Sequence, residues 1–293
     1  MHIRKNQRNL TSAEKKRFVS TVLELKRQGG YDEFVRQHVQ YYRADGDDGV
    51  RAGHMAPSFL PWHRKYLLEF ERALQRIDPK VTVPYWDWTT DNTPAASLWS
   101  EDFLGGDGRS SDGQVTTGAF AYAAGNWNIN DGVLERKFLA RAFGRPTSPI
   151  ALPTKAELAW AMDESVYDAA PWDSTVTRGF RNRLEGWTAG SDKTRWRNHN
   201  RVHRWVGGQM LGATAPHDPV FWLHHAFVDL LWDRWQQKHP KSTYLPQRRL
   251  DDDDPQHGQA ISLDEPMPPW RYCASECSFH PDCGSAKPEQ THS

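Results

Sequence analysis

Hydrophobic residues recur along much of the chain at the spacing of three or four positions that marks one face of an α-helix. The clearest case is the segment 11–30, in which a capping box formed by Thr11 and Glu14 precedes apolar residues at helical spacing. The segment that follows has the same periodicity and places Phe34 and His38 on one helix face. The N-terminal part of the chain is therefore predicted to be helical.

Four later segments also have helical signals, and one of them has its own capping box, Thr154 and Glu157. In chain order they are "PSFLPWHRKYLLEFERALQRID", "LPTKAELAWAM", "NHNRVHRWVG" and "DPVFWLHHAFVDLLWDRW". One short strand is predicted in "VTVPYWDWTT", and the chain between residues 89 and 150 is rich in Gly, Ser, Asp and Asn. These patterns predict a mainly α domain with long loops and few short strands.

The charge balance argues against two classes of partner. The 293 residues include 37 Lys and Arg and 37 Asp and Glu, so the formal net charge is zero. Such a chain has no bulk electrostatic attraction to nucleic acid or to an anionic membrane, and we expect neither partner.

No apolar run reaches the length of a membrane span, and the first residues lack the apolar stretch of a secretory signal. We expect a cytoplasmic protein by default, or one exported together with a partner protein.

The composition changes after residue 250, where the chain becomes polar and rich in proline. This change predicts one domain over residues 1–250 and a surface or partly disordered tail over 251–293. All three cysteines, Cys273, Cys277 and Cys283, lie in that tail, and their spacing favours a surface disulfide or free thiols over a defined metal site. A metal in the body of the protein must therefore be bound through nitrogen or oxygen.

Histidines on or beside the predicted helices form two groups, one in each half of the chain. The groups are His38, His54 and His63, and then His199, His203 and the adjacent pair His224 and His225. His199 and His203 are spaced i, i+4, which puts both on one helix face. A single histidine on a helix is often structural, whereas three imidazoles for each ion suit copper and also zinc.

Two competing metal sites fit the sequence less well. A zinc protease would carry a glutamate at the position of Asn200, and the chain contains no HExxH motif. A di-iron carboxylate site would need two Glu-x-x-His motifs, and the predicted domain over residues 1–250 contains none. The histidine groups therefore favour copper.

The segments that carry these histidines resemble a known family. "SFLPWHRKYLLEFE", "PYWDW", "NHNRVHRWVGGQM" and "DPVFWLHHAFVDLLW" are similar to the two copper-binding motifs of the type 3 copper proteins. The similarity is closest to small bacterial tyrosinases and o-aminophenol oxidases, and it extends from "LTSAEKKRFV" to "LDEPMPPW". The resemblance implies a four-helix bundle that encloses a dinuclear copper site and binds dioxygen as co-substrate.

The resemblance also implies a ligand set, with three histidines for each copper ion. These are His38, His54 and His63 for the first ion, and His199, His203 and His225 for the second. Because adjacent helix residues diverge by about 100°, we expect His224 to turn away and to make a hydrogen bond elsewhere. In some relatives a thioether joins a cysteine to the second histidine of the first copper site, here His54. Ala52 and Gly53 precede His54 and all three cysteines lie in the tail, so this crosslink is excluded.

Further residues acquire candidate roles from the same resemblance. Glu185 in "FRNRLEGW" would hold, together with Asn200, a water that accepts the phenol proton. The alternative is that Glu185 is a surface glutamate paired with an arginine such as Arg183. The connection "TAGSDKTRWRN" that follows is long enough to displace Glu185 from the site.

Three further residues are candidates for contact with the substrate. We expect Arg204 either to orient a polar or anionic ring substituent or to be a solvated surface arginine. Met210 and Ala213 are expected to line the mouth of the site.

These features predict a type 3 copper oxidase that converts o-aminophenols or o-diphenols to quinone imines or o-quinones. A full tyrosinase, which also hydroxylates monophenols, is the close alternative, and an oxygen carrier is the remote one. The long connection after Glu185 and the cysteine-containing tail favour a specialised oxidase of secondary metabolism. The resemblance further implies a phenolic small-molecule substrate, two copper ions, and a helper protein that delivers the copper.

Overall fold

The computed structural model describes residues 2–46, 53–129, 137–145, 147, 149–187, 196–242 and 271–272. Seven α-helices lie in these ranges: α1 Ser12–Arg27, α2 Gly30–Gly46, α3 Phe59–Ile77, α4 Lys155–Met162, α5 Phe180–Glu185, α6 Asn198–Val206 and α7 Val220–Lys238. The strands β1 Ile3–Arg4 and β2 Arg271–Tyr272 pair in parallel. The prediction of a mainly α fold with few short strands is confirmed.

The predicted helix starts are built as capping boxes. At the start of α1 the Glu14 backbone N–H donates to the Thr11 hydroxyl at 3.2 Å, and the Glu14 carboxylate accepts from the Thr11 N–H at 2.9 Å. Thr154 and Glu157 repeat this arrangement at the start of α4. Each box satisfies backbone N–H groups that the first helical turn leaves unpaired, which explains why the local sequence is sufficient to place these two helix starts.

The centre of the molecule is the packing of α3 against α7. α7 is buried around nearly its whole circumference, as expected for a helix that is apolar on all sides. The rings of Phe70 in α3 and Trp222 in α7 are stacked with centroids 3.6 Å apart, and the Trp222 indole donates to the Tyr31 hydroxyl in α2 at 3.0 Å. α6 packs against the same helix, so that α2, α3, α6 and α7 form the predicted four-helix bundle.

The segment 81–90, predicted to contain a short strand, forms only an isolated backbone bridge between Asn6 and Tyr85. Pro84 lacks a backbone N–H, which weakens any longer ladder at this point. The Trp86 N–H instead donates to the Leu223 carbonyl in α7 at 3.0 Å. The segment therefore joins the N-terminal residues to the central helix, and the strand prediction is wrong.

The long loops are fastened to the start of α7 by a buried ion pair. The Arg141 guanidinium donates to both carboxylate oxygens of Asp218, at 2.7 and 2.8 Å, and it also donates to the carbonyls of Leu104, Gly105 and Gly106. The Asp218 carboxylate in turn accepts from the Val220 backbone N–H at 3.1 Å, in the first turn of α7. One side chain thus orders the loops and the beginning of the central helix together.

A second buried ion network holds the N-terminal strand against the α3–α7 pair. Arg4 donates to the Glu71 carboxylate in α3 at 2.8 Å and to the Asp229 carboxylate in α7 at 3.0 Å. Asp229 also forms an ion pair with Arg64, whose guanidinium lies 3.8 Å from the Trp232 ring. The positive charges of two arginines thus offset the negative charges of two buried carboxylates. Arg4 connects α3 to α7, and Arg64 in α3 pairs directly with Asp229 in α7.

The predicted boundary at residue 250, and the tail cysteines, lie outside the described residues; of the predicted tail, only β2 is described. Within the described ranges, no helix combines the length and the hydropathy that crossing a bilayer requires.

Replacing Arg4 with methionine is expected to lower the free energy of unfolding by about 3–5 kcal/mol, because the buried Glu71 carboxyl group would lose its main partner. Chemical denaturation of the purified variant measures this loss. The matched control is Arg17→Met, which removes the partly exposed ion pair with Asp78 and should cost less than about 1 kcal/mol. Equal losses in the two variants would contradict the buried network.

Candidate metal centre

The four helices of the bundle and one loop bring seven histidines into two groups in which the potential ligand atoms lie within 4.8 Å of one another. The first group is His38 from α2, His54 from the loop before α3, and His63 from α3. The second group is His199 and His203 from α6, and His224 and His225 from α7. All six histidines predicted as ligands therefore fall in the group that the sequence suggests, and His224 joins the second group.

Backbone carbonyls orient the histidines of the first group. His38 Nδ1 lies 2.6 Å from the Ala213 carbonyl, and His63 Nδ1 lies 2.9 Å from the Phe59 carbonyl. A carbonyl can only accept, so both Nδ1 atoms carry the proton and both Nε2 atoms carry a lone pair. The Nε2 atoms of His38 and His63 are buried and have no hydrogen-bond partner among the described residues. Buried lone pairs of this kind fit a metal ion.

The two histidines of α6 are oriented in the same way. His203 Nδ1 lies 2.7 Å from the Met210 carbonyl, and His199 Nδ1 lies 3.1 Å from Asn200 Oδ1 and 3.3 Å from the Glu185 carbonyl. Their Nε2 atoms then face each other at 3.1 Å. Two lone pairs at this separation repel unless a cation lies beside them, which is a second observation that fits a metal.

His225 connects the two groups. Its ring is stacked on that of His63, with centroids 4.3 Å apart and an interplanar angle of 8°, and its centroid lies 5.0 Å from that of His199. Because His63 belongs to α3 and His199 to α6, the α7 side chain bridges both halves of the centre. The two groups therefore form one buried cluster.

His224 does not turn away from the cluster as expected from the sequence. Its ring is stacked on His199 at 4.9 Å, and neither of its ring nitrogens has a hydrogen-bond partner in the described part of the chain. The reason is that other helices surround α7. The side chains of His224 and His225 point about 100° apart, and each meets a different helix that carries histidines. His225 faces α3 and His224 faces α6.

Burial keeps six of the seven clustered histidines uncharged. It lowers the pKa of five of these imidazoles well below 6.5, and the neighbouring rings lower the pKa further, in His38, His63, His199, His224 and His225. Burial also lowers the pKa of His203 to about 4. These six rings are therefore neutral near pH 7, and a neutral imidazole is the form that binds a metal.

Glu185 is fully buried beside the cluster, which excludes the surface glutamate considered from the sequence. One carboxylate oxygen accepts from the Arg181 guanidinium at 3.0 Å, and the other accepts from the Met55 backbone N–H at 2.7 Å. Arg183, the alternative partner, forms an ion pair with Glu164 at 2.9 Å instead. Residues 188–195 of the long connection lie outside the described ranges, and Glu185 nevertheless stays next to His199.

A cavity of about 240 Å³ opens over the cluster. The described residues that line it include four of the histidines, His38, His54, His199 and His203, together with Tyr42, Met55, Trp187, Trp196, Asn200, Arg204, Met210, Leu211 and Gly212. Arg204 is their only fixed cation, and no carboxylate is among them. Of the predicted substrate residues, Arg204 and Met210 line this cavity, whereas Ala213 does not and instead holds His38 through its carbonyl.

The aromatic wall of the cavity was not predicted from the sequence. Trp187 and Trp196 form an antiparallel backbone bridge, and their ring centroids are 4.8 Å apart. The Arg204 guanidinium lies 5.0 Å from the Trp196 ring. The two tryptophans flank the long connection and belong to no periodic pattern. The only signal in the sequence was their position, two residues after Glu185 and three residues before His199.

Comparison with known proteins identifies the family. A family model described as the common central domain of tyrosinase matches residues 28–238. The tyrosinase of Streptomyces glaucescens is 54% identical over 270 residues, which cover 92% of this chain and 93% of that protein. The grixazone synthase of Streptomyces griseus subsp. griseus is 43% identical over 296 residues, which cover 92% of this chain and 94% of that protein.

Two solved structures share the fold at low sequence identity. A polyphenol oxidase from Thermothelomyces thermophila has a TM-score of 0.59 at 22% identity, covering 80% of this chain and 70% of that chain. A functional unit of Octopus hemocyanin has a TM-score of 0.53 at 22% identity, covering 83% of this chain and 56% of that chain. The matched domain and the two near-complete relatives are decisive: this chain belongs to the tyrosinase family of type 3 copper oxidases, which use two copper ions and dioxygen.

Proposed function

We propose that this protein oxidises o-aminophenols and o-diphenols to quinone imines and o-quinones at a pair of copper ions. The observation that carries the proposal is the junction of two imidazole groups through the His63–His225 stack. The first ion is assigned to His38, His54 and His63, and the second to His199, His203 and His225. Two copper ions bound in this way would relay electrons from the phenolic substrate to dioxygen, so no organic cofactor would be needed.

His225 is preferred to His224 as the sixth ligand because of its neighbours. His225 contacts His63 and His199, so it lies between the two groups. His224 contacts the two rings of α6, His199 and His203, with ring centroids 4.9 and 5.0 Å away, and so lies within the second group and not between the two. We assign His224 to the support of the His199 ring.

The surrounding residues serve the reaction in two ways. Apolar rings such as Phe59 and Phe221 pack against the imidazoles and exclude water from the site. Glu185 and Asn200 flank His199, and the buried Asn200 Nδ2 atom has no partner among the described residues. We propose that these two side chains hold a water that accepts the proton of the substrate hydroxyl.

The cavity favours a flat ring with a polar or anionic substituent. Trp187 and Trp196 provide an aromatic wall, Arg204 provides a positive charge, and the described lining residues include no carboxylate. A substrate carboxylate would therefore meet an attractive potential and no repulsive group among the described lining residues. The similarity to a protein named grixazone synthase also supports a specialised oxidase.

Full tyrosinase activity is the second candidate. Its support is the name of four relatives, the Streptomyces tyrosinases, which are 49–54% identical to this chain. The buried Glu185 and Asn200 pair would serve such an activity, because hydroxylation of a monophenol begins with loss of its hydroxyl proton.

We further propose that a helper protein covers the cavity during copper delivery. Three large hydrophobic residues in the described ranges are clearly exposed, and two of them stand at the cavity mouth: Tyr42 is 40% exposed and Leu211 is 46% exposed. Apolar side chains at the rim of a polar site are suited to transient contact with a partner.

A panel of tyrosine, catechol, o-aminophenol and an aminohydroxybenzoate tests the substrate class on copper-loaded protein. We expect kcat/KM for the aminohydroxybenzoate to exceed that for tyrosine about tenfold, equivalent to about 1.4 kcal/mol of transition-state binding. Oxygen consumption and product absorbance measure the rates. We also expect the aminohydroxybenzoate to be preferred to o-aminophenol, and Arg204→Met should abolish that preference because it removes the positive charge that meets the carboxylate. Reversible oxygenation without any quinone formed from catechol would overturn the enzyme proposal in favour of an oxygen carrier.

Copper analysis tests the ligand assignment. His225→Ala should lower bound copper from two ions per chain to about one, because the second ion loses a ligand. His224→Ala is the matched control at the adjacent buried position and should retain nearly two ions per chain. Equal copper loss in the two variants would refute the assignment.

Glu185→Gln tests the role of the buried carboxylate. We expect monophenol hydroxylation to fall about 100-fold relative to o-diphenol oxidation, because the amide is a poor proton acceptor. Both rates are taken from the same sample, so the ratio does not depend on copper occupancy. Glu164→Gln, at a glutamate remote from the histidines, should leave the ratio unchanged. An unchanged ratio in the Glu185 variant would count against the water-holding role.

A further inference from the structure

Met55, the residue after His54, has a backbone conformation that methionine rarely adopts. Its φ is +55°, in the left-handed region where the Cβ atom of a side chain is crowded. Such a conformation persists only where surrounding contacts hold it. The contact here is the hydrogen bond from the Met55 N–H to Glu185 Oε1 at 2.7 Å. It joins the loop of the first histidine group to α5, in the other half of the chain.

The Glu185 carboxylate is itself held rigidly. Its other oxygen accepts from Arg181 at 3.0 Å, and Arg181 donates to both oxygens of Asp168, at 2.8 and 3.0 Å. Arg181 and Glu185 are fully buried, and Arg181 also donates to the Asp173 carbonyl. Asp168, Arg181 and Glu185 thus form a fixed buried anchor that ends at the Met55 backbone.

His54 has particular need of such an anchor. Five of the six assigned ligands are carried by α-helices, whose backbone hydrogen bonds set the direction of each side chain. His54 comes instead from the loop before α3, and its ring must meet His38 and His63, with centroids 5.4 and 5.0 Å away. The conformation of Met55 sets the path of the chain that leaves His54.

We infer that Glu185 is a positioning residue for His54, because its carboxylate holds Met55 in the left-handed conformation that brings the imidazole to the first copper. This inference rests on the proposed copper function and adds to the proton-accepting role of Glu185. The Glu185 carboxylate can bind Arg181 and the Met55 N–H at the same time, because each of its two oxygens accepts one of these hydrogen bonds. A glutamine has one accepting oxygen, and the charged Arg181 competes for it more strongly than the Met55 N–H does.

The experiment measures copper per chain after dialysis against a weak chelator. Wild type is expected to retain two ions, and Glu185→Gln is expected to weaken the first site about tenfold or more and retain about one. Met55→Gly in the Glu185→Gln background should restore nearly two ions, because glycine adopts positive φ without strain. Met55→Ala in the same background removes the same side chain but keeps the Cβ atom, and it should not restore binding.

A further variant leaves the buried anchor untouched. Met55→Pro removes the N–H donor and forces φ to about −65°, so it should lose the first copper while Arg181 and Glu185 remain paired. Thermal unfolding of each apoprotein identifies any variant that fails to fold, and Met55→Pro then decides the question in place of Glu185→Gln.

The outcomes separate the two proposals. If wild type does not bind two copper ions, the proposed function fails. If wild type binds two and either folded variant, Glu185→Gln or Met55→Pro, also retains two, the positioning role of Glu185 is overturned. Restoration of binding by Met55→Ala to the same extent as by Met55→Gly would overturn it too, because the effect would then come from side-chain bulk and not from backbone conformation. A hydroxylation ratio that stays low after Met55→Gly restores copper would distinguish the proton-accepting role from the positioning one.

Discussion

The packing of α3 against α7 is the constraint on which the rest of the structure depends. Each helix contributes a histidine, and the stacked rings of His63 and His225 bring the two halves of the centre together. Arg4 holds this helix pair from the N-terminal strand through Glu71 and Asp229. Burial of charges is tolerated here because each carboxylate has an arginine partner, and those partners oppose sliding of one helix past the other.

The same burial determines the chemistry of the site. Burial lowers the pKa of six of the seven imidazoles, so these six rings remain neutral and able to bind a metal near pH 7. In His38, His63 and His203 the direction of the lone pair is set by a backbone carbonyl on the far side of the ring, from Ala213, Phe59 and Met210 respectively. Loop backbone, as much as the helices, therefore orients the ligands.

Local physical rules were enough to predict much of this protein. The Thr11–Glu14 and Thr154–Glu157 capping boxes are contacts between residues three apart, and both helix starts are confirmed. The i, i+4 spacing of His199 and His203 predicts two rings on one face, and their centroids lie 4.5 Å apart. The strand predicted in 81–90 failed because its apolar residues pack against α7, and periodicity does not distinguish this burial from pairing in a sheet.

The sequence by itself determined six of the seven described helices, the two histidine groups and the absence of thiolate ligands from the body of the protein, because these depend on neighbours along the chain. Only the tertiary structure decided the environment of His224, the partners of Glu185 and the role of Ala213. Each depends on residues distant in the chain: Glu185 meets Met55 across 130 positions, and Ala213 meets His38 across 175. No local pattern encodes such contacts, because they arise when separate helices pack around one buried core.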